Sequence, residues 1–110
     1  FYCLVAHGAA VRVLSGDPQL GEHMVMNYRS AKLDKRQRAM LDYAVKVSLK
    51  PYEISESDLT LLEKQGFSED DIWNIGAISS FFALSNRLAH MASIRPNDEF
   101  HLLGRVKRSK

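Results

Sequence analysis

Apolar positions recur at helical spacing along almost the whole chain, and Gly, Pro and capping residues punctuate the runs. From Phe1 to about Leu14 the sequence is apolar, with small residues at Ala6, Gly8, Ala9 and Ala10, until Ser15-Gly16-Asp17-Pro18 stops it. From Pro18 to about Tyr28, Leu20, Met24 and Tyr28 recur at i+4 and form one modest helical face. Asp34 is placed to cap a third helix reaching about Leu49. Its Met40, Leu41, Ala44, Val45 and Val47 alternate with Arg36, Arg38, Asp42 and Lys46 at amphipathic spacing, and Pro51 prevents continuation. Ser55-Glu56-Ser57-Asp58 offers an N-cap for a short helix carrying Leu59, Leu61 and Leu62, closed at Gly66.

Ser68-Glu69-Asp70-Asp71 is the clearest start signal, a hydroxyl at the cap and three carboxylates where the helix dipole favours negative charge. The helix it opens, about Glu69 to Ser93, is apolar around most of its circumference: Ile72, Trp73, Ile75, Ile78, Phe81, Phe82, Leu84 and Leu88. A surface helix would show a charged face through its middle, so this one is expected to be enclosed by other helices or by other subunits. Past Pro96 a short extension and a loose basic end should follow. Neither period-2 strands of useful length nor internal repeats interrupt the pattern. The expected fold is therefore all-α, a helical bundle, with residues 1–104 as a single domain and 105–110 as a basic tail.

Composition narrows the class further. With 110 residues, 45% hydrophobic and 25% charged, the chain can build one core and has no room for two. The formal charge of +2 is misleading, because Arg105, Lys107, Arg108 and Lys110 supply four of the fifteen positive residues. Without them eleven basic residues face thirteen acidic ones, so the body lacks the basic surface of a nucleic-acid binder. The longest uncharged stretch, Ile72 to Asn86, is 15 residues, short of the roughly 20 a membrane-spanning helix needs. No signal peptide is visible in the opening residues, and a soluble, cytoplasmic protein is expected. One cysteine excludes a disulfide framework within the chain and a Cys-only zinc site.

That cysteine is the main chemical candidate. On a helix Cys3 and His7 stand at i and i+4, so thiol and imidazole share a face about one turn apart. An imidazole there can accept the thiol proton or stabilise the thiolate, the reactive species, and a position near a helix N-terminus favours the thiolate further. The same spacing also arises with a simply packed thiol beside a hydrogen-bonded histidine. His23, His90 and His101 offer no second close ligand pair, so no metal is expected. Trp73, Phe81 and Phe82 read as core or interface aromatics. Glu22 and His23, near the second helix, are able to approach the thiol from across the fold, which spacing leaves open.

Cys3-x-x-x-His7 is followed by Gly8-Ala9-Ala10-Val11-Arg12 and the Gly16-Asp17-Pro18 break. Gly66 to Ile72 then leads to Phe81-Phe82-x-x-x-Asn86-Arg87-Leu88-Ala89. These blocks, in this order, resemble the carboxymuconolactone decarboxylase/alkylhydroperoxidase D-like superfamily in its peroxidase-related branch. The resemblance implies an all-helical, oligomeric fold, as dimer, trimer or hexamer, and a Glu…Cys-x-x-Cys-x-x-x-His constellation. Cys3 matches its peroxidatic cysteine and His7 its proton-moving histidine. The resolving cysteine would fall just before Phe1 and the relay glutamate further upstream, so the chain is expected to be the C-terminal part of the family's domain. The implied activity is reduction of a hydroperoxide by Cys3, with an external thiol or dithiol as reductant and no cofactor. Asn86 and Arg87 match the family's recurring pair and are expected at helix ends or subunit contacts. Two competing expectations remain, a lactone decarboxylase of the same superfamily and a non-catalytic helical assembly module.

Overall fold

The computed structural model describes residues 2–105. Phe1 and most of the expected basic tail, from Val106 to Lys110, lie outside the described residues. Among the described residues the chain is all-α: α1 (Tyr2–Ser15), α2 (Leu20–Asn27), α3 (Lys35–Leu49), α4 (Glu56–Lys64) and α5 (Glu69–Met91), with 3₁₀ turns at Tyr28–Ser30, Pro51–Glu53 and Asp98–His101. Two compact units divide it. Leu33–Ser85 forms one, and the described segments before and after it form the other. No helix among the described residues is long and apolar enough to cross a membrane.

In the Leu33–Ser85 unit the expected caps are made. Asp34 accepts the Gln37 backbone N–H at 2.7 Å while the Gln37 side chain accepts the N–H of Asp34, a reciprocal pair that satisfies two orphan donors at the start of α3. Ser68 and Asp71 do the same for α5, with bonds of 2.9 and 3.0 Å. Gly66 adopts φ +90°, which lets the Phe67 N–H return to the Leu62 carbonyl and turns the Phe67 ring inward. Leu62, fully buried, packs there with Ala39, Phe67 and Ile72, and Met40, Tyr43, Leu59 and Ile75 close around them. The Arg36 guanidinium lies 4.1 Å from the centre of the Phe67 ring and covers its outer face.

The other unit is built on a close approach of two helices. Gly21 is buried against Gly8, so near that a Cβ on Gly21 would stand 3.5 Å from the Gly8 carbonyl oxygen. Small residues on α1 thus set the α1–α2 spacing. The second helix starts at Leu20 and not at Pro18, because Asp17 first accepts the Gln19 N–H in a side-chain turn, and Asn27 likewise leads into the Tyr28–Ser30 turn. At its far end α5 stops at Met91, slightly before the expected Ser93, since Ser93 takes φ 53° and its N–H bonds back to the His90 carbonyl.

Candidate functional site

Cys3 and His7 both lie on α1, in its first two turns, with Cys3 half-buried and His7 exposed. The imidazole is anchored. Its Nδ1 stands 3.1 Å from the Cys3 carbonyl oxygen, and since a carbonyl can only accept, Nδ1 carries the proton and donates it. A neutral ring fixed in that way has its lone pair on Nε2, the atom able to act as a base. The side chain is thereby held over the turn that carries the thiol, four residues back as the spacing requires.

Glu22, half-buried on α2, goes elsewhere. One carboxylate oxygen lies 2.5 Å from Arg105 Nη2 and 4.0 Å from Arg12 Nη1. Its carboxyl is held below the ordinary value of 4.5, chiefly by its own backbone N–H, and further by Arg105 and Arg12. Arg12 is the residue that sequence reasoning passed over. Only 4% exposed, it donates from Nε to the Leu103 carbonyl at 2.8 Å and from Nη2 to the Phe100 carbonyl at 2.9 Å, fastening the C-terminal turns to α1. A cavity of about 240 Å³ opens beside this cluster, lined by Leu4, Val5, Gly8 and Arg12 of α1, Gly21, Glu22, Val25 and Met26 of α2, and His101 and Arg105.

No family model matches the chain, and no curated protein matches it. Solved structures do. The alkylhydroperoxidase AhpD core, an uncharacterized peroxidase-related protein from Ralstonia eutropha JMP134, is 47% identical with a TM-score of 0.93, over 97% of this chain and 56% of that one. An uncharacterized peroxidase-related protein from Silicibacter sp. TM1040 is 56% identical with a TM-score of 0.90, over 92% of this chain and 53% of that one. The chain belongs to the alkylhydroperoxidase D-like superfamily. It spans a little over half the length of each of these relatives.

In this alkylhydroperoxidase D-like chain the remaining candidates stay dispersed. His23 and His90 are exposed, on α2 and α5, and His101 borders the cavity. Among the described residues no group of three or more His, Cys, Asp and Glu side chains is placed to hold a metal ion. Asn86 and Arg87 are exposed on the last third of α5. Phe81 and Phe82 meet edge to face, with ring centres 5.4 Å apart.

Proposed function

We propose that the chain carries the nucleophilic half of a thiol-dependent peroxidase centre, with Cys3 as nucleophile and His7 as its proton acceptor and donor. The observation that supports this most is the imidazole fixed through Nδ1 over the Cys3 turn, within a chain about half identical to peroxidase-related proteins. In the proposed step the Cys3 thiolate attacks the terminal oxygen of a hydroperoxide. An S–O bond forms, the O–O bond breaks, and the alkoxide leaves as alcohol with the proton that His7 took from the thiol. The sulfenic acid then condenses with a second thiol, releasing water and giving a disulfide, which an external dithiol reduces. Cys3 is the chain's one cysteine, so the second thiol comes from outside the sequence given. A reducing compartment such as the cytoplasm suits this cycle, and a homo-oligomer is the proposed working form.

The test is peroxide consumption by the intact protein with tert-butyl hydroperoxide and dithiothreitol. Cys3→Ser is expected to abolish turnover, and His7→Gln to slow it about a hundredfold, within the usual range for a lost acid–base group. Undiminished turnover in Cys3→Ser overturns the reading. A lactone decarboxylation surviving that substitution would direct attention to the lyase chemistry of the superfamily instead.

A further inference from the structure

We propose that the cavity beside α1 and α2 is a binding site for a small neutral amphiphile, an aliphatic chain with a hydroxyl head that both donates and accepts a hydrogen bond. The site is separate from the proposed reaction centre. At 100° per residue, Leu4, Val5, Gly8 and Arg12 centre roughly 130° around α1 from the midpoint of Cys3 and His7. Neither of those two residues lines the cavity.

The head-group assignment follows from what the polar end lacks. Glu22 Oε1 is ion-paired with Arg105 and Arg12, whereas Oε2, equally walled off from solvent, has no hydrogen-bond partner on another described residue. A buried acceptor left in this way favours a ligand that donates. Arg12 spends Nε and Nη2 on the carbonyls of Leu103 and Phe100 and leaves Nη1 toward Gly8 and Glu22, able to donate to a ligand oxygen. An ammonium head would meet two guanidinium groups, and a carboxylate head would meet the Glu22 carboxylate. A hydroxyl answers both sides without an added charge. Leu4, Val5, Val25 and Met26 supply the apolar wall for its chain.

The probe is 1-hexanol, titrated into the intact protein and followed at the backbone amides of Gly8 and Gly21 by NMR, with hexanoate and hexylammonium as charged equivalents of equal length. Saturable shifts with hexanol are expected, with both ions about tenfold or more weaker, equivalent to 1.4 kcal/mol or more. Glu22→Gln should weaken hexanol about tenfold, as loss of a charge-assisted hydrogen bond does. Val25→Trp, at an exposed rim position, should fill the cavity and remove the shifts while iodoacetamide modifies Cys3 at the wild-type rate. Absence of saturable shifts with hexanol overturns the proposal. So does equal binding of either ion, or undiminished hexanol binding in Val25→Trp.

Discussion

Arg12 and Gly104 show how much of one unit rests on two positions. Arg12 holds the carbonyls of Phe100 and Leu103, and the chain can run that close to α1 only because residue 104 has no side chain. Gly104 takes φ +79°, and a Cβ there would stand 2.6 Å from Arg12 Cβ and 3.1 Å from the Val13 nitrogen. Gly104→Ala therefore meets both an unfavourable backbone region and a collision with atoms that cannot swing away, and is expected to cost at least about 1 kcal/mol. Gly21→Ala meets the Gly8 carbonyl at 3.5 Å, an ordinary contact, on a helix where Ala is favoured, so its effect should be small or stabilising. Calorimetric unfolding of the two variants checks the contrast, and equal losses would contradict it. The same comparison explains what was legible at this scale. Cys3 and His7 are four residues apart on one helix, so the bond from the imidazole to the Cys3 carbonyl is a local contact. The carbonyl partners of Arg12 are 88 and 91 residues away, and no periodicity carries that information.

Helix starts that carry a reciprocal cap were legible for the same local reason, whereas the start of α2 and the end of α5 were less so. Asp34 with Gln37 and Ser68 with Asp71 are written three residues apart in the sequence, and both reciprocal caps form. The stop at Met91 depends on Ser93 adopting φ 53°, a conformation that a serine does not advertise. Ties between helices were not legible either. Lys46 Nζ of α3 donates to both carboxylate oxygens of Asp58 on α4, at 2.9 and 3.0 Å, and Asp58 also accepts the Ser55 N–H. Lys46 foremost, then the Ser55 N–H, hold the Asp58 carboxyl below the ordinary 3.8. The Ser68 N–H does the same for Asp71. A carboxyl with a lowered folded value stabilises the fold above its unfolded value, and that contribution is lost as pH falls through the lower, folded one. Acid unfolding should therefore set in as the pH drops to about 3.8 and steepen below it. Asp58→Asn should make stability less dependent on pH across that range, measured by denaturant titration at several pH values. An unchanged pH dependence in the variant would show that the Lys46 pair does not contribute.

Over the molecule as a whole, the all-α class followed from periodicity alone, whereas the surroundings of the longest helix did not. The apolar circumference of α5 implied enclosure, and part of it is enclosed: Ile72 and Ala89 are buried. Much of the rest faces outward in the chain as it stands, with Trp73 76% and Phe81 61% exposed, and Ile78, Leu84 and Leu88 exposed beside them. So much large apolar surface on one helix is the signature of an interface. Since the chain spans little more than half of its relatives, that surface can be met either by a second copy or by sequence outside the given residues. The proposed homo-oligomer requires the first. It makes a concrete expectation for the intact protein: association at micromolar concentration by sedimentation, and a shift toward monomer when Trp73 and Phe81 are both replaced by Glu. The replaced positions are exposed, so helical content by circular dichroism should be retained while association is lost. A wild-type protein that sediments as a folded monomer would remove the second copy and leave the rest of the polypeptide as the cover. Association unchanged by the double substitution would move the interface off this face of α5.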